Sequence, residues 1–336
     1  MDSLIPWAVA EVASTAFITG ITGQDGSYLA EFLLAKGYRV IGGVRAGQGH
    51  SALISELAGR IELVVWDMSD QDSMSDVLAQ YQPHEFYNCA AYSSGSGMYD
   101  NPVDLSDVNG ISVVRTLEAI RAVDARIRFC QASSREIFGG LSEGLLTEAS
   151  PTLPRSPYGV AKLYADLMVR IYRQHYGIFA CSAILFNHES PRRGLGFVTR
   201  KITHEAVKIK LGLSNELSLG NLEARRDWGF AGDYVRAMWL MLQQKYADDY
   251  IVATGVTHSV RELCDLAFGY LGLDYRSYVQ ENSSLYRPAE PSILVGSAAK
   301  ANAVLGWSPE VAFDALVRMM VDADMRILSD QTPIYE

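Results

Sequence analysis

The stretch TAFITGITGQDGSYLAEFLLAKGYRVIGGVR, Thr15 to Arg45, decides the fold. Its β-branched, apolar start at Ala16–Thr19 predicts a short buried parallel strand, and the apolar spacing of Ser27–Lys36 predicts a helix. Glycine allows a sharp turn and a close approach to a ligand, and the N–H groups that open the next helix point at an anion. Three glycines at intervals of three residues separate the strand from the helix, Gly20, Gly23 and Gly26.

Two further strand-like runs favour a dinucleotide site at this turn. YRVIGGV ends in Arg45, and Ile61–Val65 is followed by Trp66-Asp67. Such a βαβ beginning forms a crevice that holds a dinucleotide. The spacing G-x-x-G-x-x-G differs from the common G-x-G-x-x-G, and an ordinary strand-to-helix turn is the alternative for the glycines taken alone.

Length, charge and cysteine usage exclude several classes of protein. The chain has 336 residues, 49% of them hydrophobic, which suits one large or two modest domains. No apolar run is long enough to span a bilayer, residues 1–14 lack the basic start of a secretion signal, and a net charge of -10 argues against nucleic acid as the main partner. No metal site is predicted, and reduced, buried thiols in a cytoplasmic protein are expected from four isolated cysteines, Cys89, Cys130, Cys181 and Cys264.

Strand-like and helix-like segments alternate further along the chain. Glu85–Ser93 and Ile127–Ser134 are typical of strands, and Val108–Val123 is typical of a helix. The pattern predicts an α/β fold with a doubly wound, Rossmann-like parallel sheet, whose ligands bind at the carboxyl ends of the strands. Past about residue 185, glycines, prolines and charged residues interrupt the rhythm, which predicts a smaller C-terminal substrate lobe. We expect an appendage at 1–14, a mainly dinucleotide-binding domain at 15–185, and a lobe at 186–336 with some segments returning to the first domain.

The candidate chemistry lies in the middle of the chain. Tyr158 and Lys162 are one helical turn apart, so both side chains emerge on one face. A Lys ammonium near a phenol lowers the pKa of the Tyr and makes it a usable acid or base. Y-x-x-x-K is common on solvated helix faces, but here it follows a glycine-turn strand and a strand that ends in Ser133-Ser134.

These motifs together resemble the extended short-chain dehydrogenase/reductases, and within them the GDP-mannose 4,6-dehydratase family. The resemblance runs from about residue 15 to about residue 328. It is carried by TGITGQDG, NCAAYS, QASSREIFG, PRSPYGVAKLYA, ILFNHESPRRG, FVTRKIT, LGNLEARRDWG and YRPAE.

The resemblance implies a hydro-lyase with a tightly held NADP, or NAD as the alternative. Tyr158, assisted by Lys162, would remove the sugar 4-hydroxyl proton while hydride leaves C4. Ser134 would hydrogen-bond the 4-oxygen. Glu136 would abstract the C5 proton and help to expel the 6-hydroxyl as water, and hydride would then return to C6. A homodimer or homotetramer is also implied.

The resemblance also implies two sets of binding residues. The cofactor set is Gly20, Gly23, Gln24, Asp25, Gly26, Arg45, Asp67, Met68, Ala90, Ala91, Tyr158, Lys162, Leu185, Asn187, His188 and Arg193. The GDP-sugar set is Ser93, Asn187, Val198, Lys201, Leu219, Gly220, Asn221, Arg226, Arg287 and Glu290. Arg and Lys suit a diphosphate, and a carboxylate suits the N1–H and amino edge of guanine.

The sequence departs from the family in three places. AGQGHS follows Arg45 where the family has a further Arg and paired serines that contact the 2′-phosphate and a neighbouring subunit. Tyr92 replaces a Gln. Arg135 stands where a small polar or acidic residue is usual, and an ion pair with Glu136 would weaken that carboxylate as a base. A related GDP-sugar reductase or epimerase, and a homologue that only binds, therefore remain alternatives to the dehydratase.

Overall fold

The computed structural model describes residues 14–48, 51–93, 99–285 and 293–329. Its strands are β1 Thr15–Thr19, β2 Arg39–Val44, β3 Ile61–Val65, β4 Glu85–Asn88, β5 Arg128–Ala132, β6 Glu143–Leu146, β7 Ala180–Leu185, β8 Asn187–Glu189, β9 Leu217–Leu219, β10 Arg225–Phe230, β11 Tyr250–Val252, β12 Thr257–Ser259, β13 Val279–Glu281 and β14 Ile293–Gly296. Its α-helices are α1 Gln24–Ala35, α2 Gln71–Tyr81, α3 Pro102–Ser106, α4 Ser112–Val123, α5 Pro157–Tyr176, α6 Val198–Lys210, α7 Ala231–Leu242, α8 Val260–Tyr270, α9 Ala299–Leu305 and α10 Phe313–Ser329.

A seven-stranded parallel sheet organises the described residues, in the order β11-β7-β5-β4-β1-β2-β3. The chain moves from β1 to β2 and β3, then returns to β4 on the other side of β1. A crevice therefore opens between the carboxyl ends of β1 and β4, where ligands bind in sheets of this kind. The doubly wound, Rossmann-like α/β fold predicted from the sequence is confirmed.

Apolar layers cover both faces of this sheet. On one face, Leu29 of α1 and Met238 of α7 belong to a fully buried cluster. On the other, Met74 of α2, Leu117 of α4 and Val169 of α5 form the second cluster. All five side chains are 0% exposed. Strands buried on both faces explain why β1 is apolar along its length and does not alternate.

Most predicted boundaries agree with the structure to within a few residues. The first helix begins at Gln24, earlier than the predicted Ser27, because Gly23 already serves as its N-cap. The helix predicted at 108–123 contains a π-helical turn at Asp107–Ile111 before α4. Within Glu85–Ser93, predicted as a strand that enters a small-residue loop, the strand ends at Asn88.

The later part of the chain forms a separate small sheet and its own helical layer. β12, β10 and β8 form a three-stranded sheet, with β8 parallel and β12 antiparallel to β10. α6, α8 and α10 enclose a third apolar cluster. β11 pairs with β7 in the large sheet. The domain boundaries stay a prediction, and residues 1–13 of the predicted appendage lie outside the described part.

The glycine turn after β1 is built by close backbone contacts. Gly20 has φ +67°, and a Cβ there would lie 2.8 Å from the nitrogen of Ala90 at the end of β4. A Cβ on Gly26 would lie 2.3 Å from the Gly20 carbonyl oxygen. Gly23 donates its N–H to that same oxygen at 2.9 Å. Glycine is therefore required on sterical grounds where β1, α1 and β4 meet.

Gly26→Ala is expected to destabilise the fold by roughly 1 to 3 kcal/mol, because the added methyl group overlaps backbone atoms that have no room to move. Urea denaturation measures the change. Gly269→Ala in α8 is the matched control: a Cβ there meets nothing within 4 Å and the φ is not positive, so the change should be neutral or stabilising. Equal effects of both substitutions would contradict this account of the turn.

Candidate active site

The first turn of α5 rests directly on the turn that follows β5. Pro157 is the first helical residue, and the Ser156 hydroxyl accepts a hydrogen bond from the Gly159 N–H at 3.1 Å, so the helix is capped at this point. A Cβ on Gly159 would lie 2.6 Å from the carbonyl oxygen of Glu136. The close contact brings Tyr158 beside the turn that carries Ser134 and Glu136.

A short 3-10 helix, Arg135–Phe138, presents Glu136. Ser134 caps this helix and accepts a hydrogen bond from the Glu136 N–H at 3.2 Å. Burial has the largest effect on the Tyr158 phenol and raises its pKa, the neighbouring Ser134 hydroxyl lowers it, and the charge of Glu136 raises it. Three of the four predicted catalytic residues, Ser134, Glu136 and Tyr158, thus lie together at the carboxyl edge of the sheet.

Lys162 lies behind Tyr158 without holding its phenol. The Lys162 Nζ donates to the Ala132 carbonyl oxygen at 2.8 Å and lies 5.8 Å from the centre of the Tyr158 ring. Burial raises the pKa of Tyr158 to about 12 and lowers the pKa of Lys162 to about 8. The predicted lowering of the Tyr158 pKa is therefore not seen, because burial has the largest effect on the phenol and raises its pKa.

Arg135 is buried and forms an ion pair with Glu136. Its Nη2 lies 2.9 Å from Glu136 Oε1, and both side chains are 11% exposed. A charge-assisted bond of this kind restrains the carboxylate. The structure thus shows the contact that the sequence raised as a concern.

A polar network joins the glycine turn to β8 and to the segment after it. The Gln24 Nε2 donates to the His188 carbonyl oxygen at 3.1 Å, and the Ser190 hydroxyl donates to Gln24 Oε1 at 2.7 Å. The His188 ring lies 2.9 Å from Asp25 Oδ2 and stacks on Tyr234. The pKa of Asp25 is lowered to about 2 by the charge and hydrogen bond of His188, against the opposing effect of burial.

The β1–β4 crevice is fixed by a second network. The Thr19 hydroxyl donates to Asn88 Oδ1 at 2.6 Å and accepts from the Ala90 N–H at 3.1 Å. Asn88 in turn donates to Gln131 Oε1 at 2.8 Å. Of the predicted cofactor residues, Gly20 directly follows β1, and Ala90 and Ala91 lie in the loop after β4, at the edge where sheets of this kind bind ligands.

Other predicted cofactor residues lie along the same edge. Arg45 is exposed at the end of β2, and Asp67 follows β3 with its Oδ1 bound to the N–H and hydroxyl of Ser69. The Met68 carbonyl oxygen accepts from Arg115 at 3.0 Å. Leu185 is buried at the end of β7.

Asn187 begins β8, and Arg193 lies in the loop that follows this strand. The Arg193 Nε lies 3.1 Å from Glu189 Oε2, and its guanidinium lies 3.5 Å from the centre of the Phe197 ring. The Oδ1 of Asn187 is buried and has no hydrogen-bond partner within the described residues. A buried polar atom without a partner fits a site that closes around a ligand.

Most of the predicted substrate residues lie on or next to β8, β9, β10 and α6. Lys201 on α6 donates to the Ser218 carbonyl oxygen at 2.7 Å, next to Leu219. Arg226 lies on β10, whose Trp228 pairs in register with Asn187. Val198 opens α6, Gly220 and Asn221 follow β9, and Ser93 is exposed beyond β4. Arg287 and Glu290 lie outside the described residues.

Sequence reasoning missed the residues that link distant segments. Ser190 is 0% exposed and binds Gln24 across a separation of 166 residues. Glu189 pairs with Arg193, and Asp166 on α5 accepts a short hydrogen bond from Ser133. NHES at 187–190 was visible as a motif, but nothing in it indicates which segment lies opposite. The Y-x-x-x-K-x-x-x-D spacing was the available signal for Asp166.

The described residues contain neither a cluster suited to a metal ion nor a helix suited to a membrane. Among the described residues, no group of three or more His, Cys, Asp and Glu side chains is arranged to hold a metal ion. No helix in the described part of the chain combines the length and apolarity that crossing a membrane requires.

The doubly wound α/β fold defines the class of protein, and solved structures share it. The fold matches solved structures of a UDP-glucose 4-epimerase from Thermotoga maritima, with TM-score 0.83 and 21% identity over 94% of this chain and 99% of that one. It also matches a dTDP-glucose 4,6-dehydratase from Bacillus anthracis, solved with NAD, with TM-score 0.82 and 19% identity over 94% and 97%.

The family follows from the sequence comparisons. The model of the GDP-mannose 4,6 dehydratase family matches residues 17–320. GDP-mannose 4,6 dehydratase 2 of Arabidopsis thaliana is 47% identical over 95% of this chain and 89% of its own length. The human GDP-mannose 4,6 dehydratase is 42% identical over 94% and 92%. This chain belongs to the GDP-mannose 4,6-dehydratase family.

Asp25→Asn is expected to lower the free energy of unfolding by about 2 kcal/mol at pH 6, because each pKa unit corresponds to about 1.4 kcal/mol. The folded-state pKa of about 2 lies below the ordinary value of 3.8, so this stabilisation is present above pH 4 and is lost as the pH falls toward 2. Urea denaturation at pH 6, 4 and 3 tests this. A deficit that does not narrow below pH 4 would show that the effect depends on shape and not on charge.

Proposed function

We propose that this chain converts GDP-mannose into GDP-4-keto-6-deoxymannose by oxidation at C4, loss of water across C5 and C6, and reduction at C6. The observation that carries this proposal is the buried Glu136 carboxylate beside the Ser134–Tyr158 pair. Acid and base groups at one strand edge suit C4 oxidation, and an additional carboxylate suits removal of the C5 proton. Membership of the dehydratase family supports the same reaction.

The residues divide the proton transfers among them. NADP+, when bound, would accept hydride from C4 and return it to C6, so it is regenerated in each turnover. Tyr158 removes the 4-hydroxyl proton, and Ser134 hydrogen-bonds the 4-oxygen. Lys162 supplies a positive charge on the same helix face, and the charge of Arg193 lowers the pKa of the phenol. The 4-ketone then acidifies the C5 proton, which Glu136 takes and passes to the 6-hydroxyl, so that this group leaves as water. As hydride returns to C6, Glu136 delivers a proton taken up from water to C5.

We propose that the cofactor is NADP and not NAD. The exposed Arg45 at the end of β2 is the cation that would meet a 2′-phosphate. We also propose the cofactor set, from Gly20 to Arg193, and the GDP-sugar set, from Ser93 to Glu290, with the members that the family resemblance implies. A cytoplasmic location is proposed on the cysteines, since Cys89, Cys130, Cys181 and Cys264 are free thiols.

The Arg135–Glu136 ion pair favours a second candidate. A restrained carboxylate would remove the C5 proton slowly, and a GDP-sugar reductase or epimerase needs no base at that position. Incubation with GDP-mannose and NADP+ separates the candidates, because only the dehydratase gives a 4-keto product lighter by one water. Absence of that product from the wild type and from Arg135→Ser would move the assignment to the second candidate.

Glu136→Gln should reduce turnover by roughly 100-fold or more while GDP-mannose binding changes little, because the amide cannot accept the C5 proton. Arg135→Ser should raise kcat by roughly tenfold, since a charge-assisted bond worth about 1.5 kcal/mol no longer restrains the carboxylate. Product formation followed by mass spectrometry measures both. Arg126→Ser, which removes an exposed ion pair with Asp124 before β5, is the control and should leave kcat unchanged.

We also propose that two copies of the chain associate through the outer face of α5. Four apolar side chains at helical spacing are exposed there by 38 to 54%, Val160, Tyr164, Leu167 and Ile171. α3 and the π-helical turn pack against α5 and extend the surface with Val103 and Ile111, which are 76% and 41% exposed. A continuous apolar stripe on one helix is self-complementary under a two-fold axis, the commonest symmetry of dimers.

Leu167→Glu should convert this dimer into monomer, because two carboxylates would be buried near the two-fold axis. Sedimentation velocity at micromolar protein measures the change. Val304→Glu on α9 is the matched control, since Val304 is similarly exposed at 50% and lies on another helix. A monomeric wild type, or a Leu167→Glu protein that remains dimeric, would contradict the assignment of this face.

A further inference from the structure

Asp166 extends the functional face of α5 by one turn. Tyr158, Lys162 and Asp166 are spaced four residues apart, so they follow one line along the helix. All three side chains are buried: Asp166 is 6% exposed and Lys162 is 2% exposed. The proposed reaction uses the first two residues and leaves the third without a role.

The contacts of Asp166 tie it to the strand that carries the site. Its Oδ2 accepts a short hydrogen bond from the hydroxyl of Ser133, the neighbour of Ser134. Its Oδ1 is buried and has no hydrogen-bond partner of normal geometry within the described residues. The same holds for the nearby Ser182 hydroxyl on β7, which lowers the pKa of Asp166. A buried carboxyl group with one oxygen that lacks a hydrogen bond lowers the stability of the fold, which favours a functional role for Asp166.

The charged groups around Asp166 come from several elements. Lys162, on its own helix, lowers its pKa, and Asp249, just before β11, raises it. The Arg173 guanidinium holds Asp249 through bonds of 2.8 and 2.9 Å, and Asp249 also accepts the Ser182 N–H. Burial dominates and raises the pKa of Asp166 to about 7.

Lys162 responds to the same surroundings. Burial lowers its pKa to about 8, and the largest opposing effect is the charge of Asp166, followed by Cys89 on the loop after β4 and Asp25 on α1. Without Asp166, the pKa of Lys162 would fall further. A neutral Lys162 would offer no positive charge to the site.

We propose that Asp166 is a positioning residue for the dehydration reaction: its buried side chain, bound to Ser133 and one helical turn from Lys162, places a negative charge beside that lysine. This role rests on the function proposed above. Below pH 7 Asp166 is itself largely protonated, and Lys162 is charged without its help. Above pH 7 Asp166 ionises and extends the pH range over which Lys162 remains charged.

Asp166→Asn keeps the shape of the side chain and removes its charge. We expect kcat/KM close to that of the wild type at pH 6, and a decline to about a tenth of the wild-type value at pH 9 if the pKa of Lys162 drops by one unit. Asp166→Glu should restore much of the alkaline activity. Ser133→Ala, which removes the donor to the carboxylate, should shift the alkaline limb in the same direction by less. Asp76→Asn, on the exposed face of α2, controls for net charge and should match the wild type at every pH.

A loss of activity by the same factor at pH 6 and pH 9 would overturn the proposal in favour of a purely structural role. If the wild type forms no product, the proposed function fails. The effect of Asp166 on Lys162 is then measured by a method that does not depend on turnover. In that case the NMR titration of the ¹³Cε signal of Lys162, assigned by its absence in Lys162→Gln, should have a lower midpoint in Asp166→Asn. If Asp166→Asn does not fold, Ser133→Ala takes its place in both measurements. An unchanged midpoint or an unchanged alkaline limb would overturn the proposal.

Discussion

The contact between Gly159 and the carbonyl oxygen of Glu136 is the constraint on which the site depends. A single methyl group at residue 159 would lie 2.6 Å from that oxygen, so α5 and the turn after β5 cannot approach as they do with any other residue. Their approach seats Tyr158 against Ser134 and aligns Lys162 with the end of β5. A similar backbone contact, between Gly20 and Ala90, sets the width of the crevice one strand away. The active-site edge is thus shaped by glycine contacts and not by side-chain packing alone.

Desolvation is the main electrostatic consequence of this close packing. Burial moves the pKa of Tyr158 up to about 12 and that of Lys162 down to about 8, so both groups favour their neutral forms more than they would in water. The site counters this with charge, because Arg193 lowers the pKa of the phenol and Asp166 raises that of the lysine. Arg135 adds a restraint on the other proton acceptor, Glu136.

The sequence predicts the parts of the fold that depend on local pattern. The apolar run of β1, the glycine turn and the four-residue spacing of Tyr158 and Lys162 each follow from short-range rules, and the alternation of elements predicts the parallel sheet. The sequence does not predict which groups a long side chain contacts. Lys162 reaches the Ala132 carbonyl oxygen and not the phenol, because burial and rotamer choice depend on segments far apart in the chain. For Arg135 the sequence raises an ion pair with Glu136, and the structure shows that this ion pair forms. The cofactor, substrate and catalytic roles carried over from the family are predictions of the same kind, which geometry alone leaves open.

The central claim is that Glu136 removes the C5 proton in spite of its ion pair with Arg135. Turnover of GDP-mannose in D₂O, with the product analysed by NMR, tests this most directly. A base that exchanges its proton with solvent leaves deuterium at C5, so we expect a 4-keto-6-deoxy product that carries one deuteron at C5 and a C6 methyl group that has received the former C4 hydrogen. A 4-keto-6-deoxy product without deuterium at C5, or the absence of such a product at saturating NADP+, would contradict the claim.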